Sequence, residues 1–109
     1  MTHYIAEFSV KTVEIKNSTR EYNHAWAIIR DGKIEWKGFS GSAALAHKAA
    51  AAMLPTGVSA RDAKLTRHWA RFAKDRGHAN AAAAIAYINA DAAERRAAST
   101  IEVVEARIA

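Results

Sequence analysis

The sequence contains no cysteine, a single proline and five glycines, and aromatic residues make up only 8% of it. Because cysteine is missing, disulfides, thiolate metal sites and a cysteine nucleophile are excluded, and a reducing compartment is favoured. No apolar run approaches the length of a membrane-spanning helix, and residues 1–10 lack the apolar stretch of a signal peptide. We therefore expect a cytoplasmic protein without a membrane segment.

Length and composition indicate one globular domain built with small side chains. Of the 109 residues, half are apolar, a quarter are charged and 27 are alanine. A chain of this length can bury enough surface for one hydrophobic core. We predict a single domain over residues 1–109, with a strand-rich half at 1–54 and a helical half at 55–109.

The N-terminal segment has the alternating pattern of a half-buried strand. Apolar side chains alternate from Tyr4 to Val10, and the pattern then changes phase, because Val13 and Ile15 are odd-numbered. A phase change of this kind near Lys11 predicts a β-bulge, or a bend between two shorter strands.

A hairpin is the clearest local prediction. Asp31-Gly32 separates two β-rich runs and suits a two-residue type I′ turn that pairs Arg30 with Lys33. Trp26 then falls on the face opposite the predicted core, where it would be an exposed interface aromatic. The predicted core face of this hairpin comprises Ala27, Ile29, Ile34 and Trp36.

The remaining sequence predicts three helices and an ambiguous tail. The helices cover residues 43–54, capped by Ser40 or Ser42, from Ser59 or Ala60 to Arg76, and 80–98. Gly77 is placed to end the second helix. The tail 100–109 combines a capping-box spacing with β-branched residues, and we favour a strand.

The expected fold class is α+β: a three-stranded antiparallel sheet (β-β-β), then three helices packed on one sheet face, with a possible C-terminal strand.

No catalytic or metal-binding constellation stands out. The five histidines include no pair at the spacing of a zinc-binding helix, and the carboxylates show no pairing. The stretch "GFSGS" resembles a nucleophile elbow, but Ser42 replaces its second glycine, so Ser40 is better interpreted as a capping residue. We expect a non-enzymatic protein that uses no metal and no cofactor.

Positive charge is concentrated in the second predicted helix. The net charge is +5, and residues 61–76 hold six Lys and Arg against two Asp. On a helical wheel, four cations spaced by 3, 4 and 3 residues lie opposite Leu65, Trp69 and Phe72, and no acid interrupts them. This cationic ridge, about 15 Å long, could contact successive phosphates, although a plain solvated helix face is the competing interpretation. The ridge comprises Lys64, Arg67, Arg71 and Lys74, and Arg61 flanks it.

Two segments resemble parts of known families. Residues 69–88, "WARFAKDRGHANAAAAIAYI", resemble a DNA-binding helix-turn-helix, with Ala73 and Gly77 at its small-residue and turn positions. The resemblance implies a recognition helix that begins near Asn80. Residues 38–54 are similar to the end of a double-stranded-RNA-binding domain, which implies strands leading to a helix. Alanines stand where that family has its phosphate-binding lysines.

Two functional hypotheses follow from the sequence. The first is a small basic protein that binds nucleic acid or a nucleoprotein complex through the cationic ridge, mainly at the backbone. The alternative is an inhibitor or adaptor, anti-defence-like and of the type encoded by phages or mobile elements, that docks on an acidic protein surface. The small size, the lack of catalytic motifs and a possible exposed Trp26 fit this alternative equally well. The oligomeric state and the choice between DNA, RNA and protein stay open.

Overall fold

The computed structural model describes residues 1–109, which form five strands and four helices. In chain order these are β1 (Thr2–Glu7), β2 (Thr12–Ser18), β3 (His24–Arg30), β4 (Lys33–Ser40), α1 (Ala43–Ala52), α2 (Ala60–Ala63), α3 (Thr66–Arg76), α4 (Ala81–Ala98) and β5 (Thr100–Ile108). The chain divides into two compact units. Unit 1 consists of Met1–Leu54 and Ala98–Ala109, and unit 2 consists of Pro55–Ala97.

Unit 1 is built on one antiparallel sheet curved into a half-barrel. The strand order is β2-β1-β5-β3-β4, so the strand that comes last in the chain lies at the centre of the sheet. β5 pairs with β1 on one side and with β3 on the other. The sheet therefore joins two local hairpins through a strand that is distant from both in sequence.

The predicted three-stranded sheet with all helices on one face is wrong. Of the two alternatives near Lys11, the division into two shorter strands is the one found: β1 and β2 form a hairpin, and the chain reverses where Phe8 N–H donates to the Lys11 carbonyl at 3.0 Å. The phase change in the sequence marks this turn. The tail forms β5, as favoured, and completes the sheet. Of the helices, α1 packs against β3, β4 and β5, while α2 and α3 lie within unit 2 and α4 lies almost wholly within it.

The β3–β4 hairpin confirms the predicted turn but not the whole predicted face. Asp31 and Gly32 have φ of 54° and 71°, as a type I′ turn requires, and Arg30 pairs with Lys33. The register then shifts, so Ile28 pairs with Trp36 and Glu35 is the extra, bulged residue. A one-residue bulge moves all following side chains to the other face, which is why Trp36 lies away from the predicted core.

Both faces of the sheet carry a hydrophobic core. One is formed by Ala6, Phe8, Val13, Ala25 and Ala27, with Ile29, Ile34, Phe39 and Val104 packed against it. The other is formed by Trp26, Ile28, Ala46 and Ala50, and it joins the sheet to α1. Trp26 is only 7% exposed. The prediction of an exposed Trp26 is therefore wrong, because α1 covers the face that the sequence pattern left open to solvent.

The predicted continuous helix up to Arg76 is interrupted. Leu65 lies between α2 and α3 with φ −76° and ψ 70°, and Thr66 N–H donates to the Lys64 carbonyl at 2.8 Å, which is an inverse γ-turn. In a continuous helix the Asp62 carbonyl would accept from Thr66. Here that carbonyl accepts instead from the Trp69 indole N–H at 2.8 Å and from the Leu65 N–H at 3.0 Å.

Candidate nucleic-acid interface

The two units differ in charge. Unit 1 holds eight Lys and Arg against seven Asp and Glu, whereas unit 2 holds eight against four. Nearly all of the net charge of +5 therefore belongs to the 43 residues of unit 2. A concentration of positive charge in one compact unit raises the electrostatic potential around that unit.

Three of the predicted cations form a row on α3. Arg67, Arg71 and Lys74 follow each other at i, i+4 and i+7, so they lie on one face of the helix over about 10 Å. All three side chains are exposed. The opposite face carries Trp69, which is 8% exposed, and Ala73, which is 2% exposed. We call Arg67, Arg71 and Lys74 the α3 row.

The structure does not place the remaining two predicted cations on this helix. Arg61 lies on the four-residue helix α2, and Lys64 is the residue that ends α2. Both are exposed, but the γ-turn at Leu65 separates them from the helical repeat of the α3 row. The even spacing of four cations seen in the sequence therefore applies to three of them.

No carboxylate lies within ion-pair distance of the predicted cations. The arginines that form ion pairs lie elsewhere: Arg30 with Glu35, Arg95 with Asp91, and Arg107 with Glu7. Arg61, Lys64 and the α3 row take part in no ion pair. An open surface cleft of about 480 Å³ is lined by Arg67, His68 and Arg71, so two guanidinium groups border the same space.

An aromatic cluster lies beside the end of α3. Phe72 packs edge-on to Trp69 at 5.4 Å between ring centroids and stacks nearly parallel to His78 at 6.3 Å and 9°. The His78 ring reaches Tyr87 on α4 at 5.2 Å. The Arg76 guanidinium lies 5.2 Å from the centre of the Phe72 ring, which is cation–π distance.

The sequence indicated only part of this cluster. Helical periodicity correctly assigned Trp69 and Phe72 to the apolar side of α3, because those residues are close in sequence. Gly77 has φ 77°, and His78 N–H donates to the Ala73 carbonyl at 2.8 Å across the helix end. This tight cap folds His78 back onto Phe72 and towards Tyr87. No local pattern could have found that contact.

The serines of the "GFSGS" stretch and the metal-ligating residue types have ordinary structural positions. Ser42 caps α1 by accepting from Leu45 N–H at 3.2 Å, and Ser40 ends β4. No three His, Asp or Glu side chains come together in a set that could ligate a metal ion. No helix has the length and apolar character needed to cross a lipid bilayer.

The chain matches no protein-family model, and comparisons with curated proteins and with solved structures also found no match. The resemblances to a helix-turn-helix and to a double-stranded-RNA-binding domain therefore gain no support from these comparisons.

Proposed function

We propose that the protein is a small, non-enzymatic nucleic-acid-binding protein that contacts the phosphate backbone through the α3 row. The observation that carries this proposal is that Arg67, Arg71 and Lys74 share one exposed helix face and that none of them forms an ion pair. Exposed helices commonly gain stability from ion pairs between residues four apart, and this face forms none, even though Asp75 lies four residues after Arg71. Its charge is therefore available to a ligand.

Backbone contact favours low sequence specificity. A helix face of about 10 Å is long enough to contact more than one phosphate of a nucleic-acid strand, and phosphates are the same at every nucleotide. Recognition of the base sequence would require side chains that reach base edges in a groove. Arginine suits phosphate because its planar guanidinium can donate two parallel hydrogen bonds. Arg61 and Lys64 would add contacts to a ligand that extends past the N-terminal end of α3.

Salt dependence tests the proposal directly. We expect wild-type affinity for a fluorescently labelled oligonucleotide to fall steeply between low and moderate salt, because each phosphate contact releases condensed counterions. Replacing Arg67, Arg71 and Lys74 together by Gln should reduce the slope of log affinity against log salt by about 2–3. Fluorescence anisotropy over a salt series measures both quantities.

A charge-matched variant provides the control. Replacing Lys16, Lys33 and Lys48 by Gln removes the same charge from exposed positions of unit 1 and should leave the slope close to that of wild type. Equal losses in the two triple variants would mean that net charge alone drives binding and would contradict the proposal. Absence of binding to any nucleic acid at low salt would also contradict it.

A protein partner that is retained from nuclease-treated lysate by the wild type and lost in the α3 variant would favour the alternative, docking on an acidic protein surface.

A further inference from the structure

A second feature of unit 2 has the chemistry of a base-binding site. Phe72, Arg76, His78, Tyr87 and Ile88 line a cleft of about 370 Å³. Three of these residues contribute rings, one contributes a guanidinium and none contributes a carboxylate. Flat aromatic ligands that carry negative charge nearby are the class that such a lining accommodates.

Tyr87 is the most accessible aromatic group of the cleft. Its side chain is 63% exposed, although its ring also touches His78. A large exposed aromatic contributes little to folding, since most of its surface remains in water. Phe72 and His78 are half-buried and lie nearly parallel, so the cleft has a partly buried aromatic wall next to the exposed Tyr87 ring.

We propose that this cleft binds a nucleobase, and that the ligand of the protein is therefore single-stranded nucleic acid. The inference rests on the proposed function and names its ligand class. Binding of single strands commonly combines cations that follow the backbone with aromatic rings on which bases stack. The α3 row supplies the first element, and the cleft supplies the second.

The placement of the two features favours a flexible strand over a duplex. At 100° per residue, Phe72 and Arg76 lie about 140–180° around α3 from Arg67, so the row and the cleft face different sides of one helix. A single strand can bend around the end of α3 and present an unpaired base. A duplex is stiff on this scale, and its bases are already stacked on each other.

Substitution of Tyr87 tests the inference. We expect wild-type protein to bind a labelled single-stranded oligonucleotide more tightly than the duplex of the same sequence. Tyr87→Ala should weaken single-strand binding about tenfold, because one base–aromatic stack is lost, and Tyr87→Phe should retain affinity within about twofold. The slope against salt should stay unchanged in both variants, since no phosphate contact is removed.

Trp36 provides the matched control. It is another exposed aromatic, at 50%, and it lies in unit 1 outside the cleft, so Trp36→Ala should leave affinity unchanged. Equal binding of duplex and single strand, or wild-type affinity in Tyr87→Ala, would overturn the inference. If binding still depended on the α3 row in that case, only the inference would fail. If no nucleic acid bound at all, the proposed function would fail with it.

Discussion

At the scale of single residues, the contact between Trp26 and Gly38 explains a glycine within a strand. The two residues are register partners on β3 and β4. A Cβ atom built on Gly38 would lie 2.6 Å from the Trp26 Nε1 and 2.7 Å from its Cε2. Glycine usually weakens a strand, but here it lets the indole lie against the neighbouring backbone. The burial of Trp26 under α1 depends on this space.

Gly38→Ala should therefore destabilise the protein. The added methyl group would displace a buried ring, and overpacking of this kind typically costs about 1–3 kcal/mol. Urea unfolding followed by circular dichroism measures the change. Gly41→Ala is the control, because nothing lies within 4 Å of a Cβ there and Gly41 is not among the positive-φ glycines. A Gly38→Ala variant as stable as Gly41→Ala would show that the indole is free to move.

At the scale of elements, a side-chain hydrogen bond stands at the break between α2 and α3, and we infer that it favours the break. The Trp69 indole N–H donates to the Asp62 carbonyl, which would otherwise accept the next amide of a continuous helix. A helical wheel shows only the face of the helix on which each side chain lies. It therefore cannot predict that the Trp69 indole competes with a backbone amide for the Asp62 carbonyl.

Trp69→Phe tests this account of the break. The substitution keeps an aromatic ring but removes the donor, and the Asp62 carbonyl retains the Leu65 N–H, so we expect a loss of about 0.5–1.5 kcal/mol in the free energy of unfolding. The half-exposed Trp36 is the matched position, and Trp36→Phe should cost less than about 0.5 kcal/mol. Equal effects of the two substitutions would mean that the indole hydrogen bond does not hold the turn at Leu65.

The features that could be predicted from the sequence are those that depend on residues close together in the chain. Asp31-Gly32 and Gly77 were located correctly because positive φ favours few residue types. The phase change near Lys11 located the junction of β1 and β2 but did not identify it as a hairpin turn, because Ser9 is the only common turn residue among Phe8, Ser9, Val10 and Lys11. The bulge at Glu35 left no signal either. The α3 row was visible as a periodic charge pattern, whereas the contact between His78 and Tyr87 depends on tertiary packing.

At the scale of the whole molecule, the order along the chain matters: the residues of unit 2 follow α1 in the sequence and precede β5, the central strand of unit 1. The order of strands could not be read from the sequence, because β5 pairs with strands more than 70 residues before it. Each β hairpin pairs two strands that follow each other in the sequence, whereas β5 joins the two hairpins through pairings between distant residues. The integrity of unit 1 therefore depends on a segment that lies beyond unit 2 in the chain.

Removal of residues 99–109 should abolish cooperative unfolding of the sheet. Without β5 the β1–β2 and β3–β4 hairpins no longer share a sheet, and isolated hairpins are marginal in water. Thermal and urea unfolding monitored by circular dichroism measure the effect. Deleting Ala109 alone, which donates one hydrogen bond to the His3 carbonyl at 2.9 Å, should cost only about 1 kcal/mol. A cooperative transition near that of the full chain after removal of 99–109 would contradict this expectation.

The central position of β5 also sets the order of events when the chain folds. Each hairpin can close within microseconds of its synthesis, whereas β5 is made only after the whole of unit 2. During that interval the edges of β1 and β3 that β5 will occupy are unpaired, and unpaired edges readily pair with other chains. Delay in making unit 2 would therefore lower the yield of native protein through intermolecular strand pairing, without any change in the stability of the finished fold.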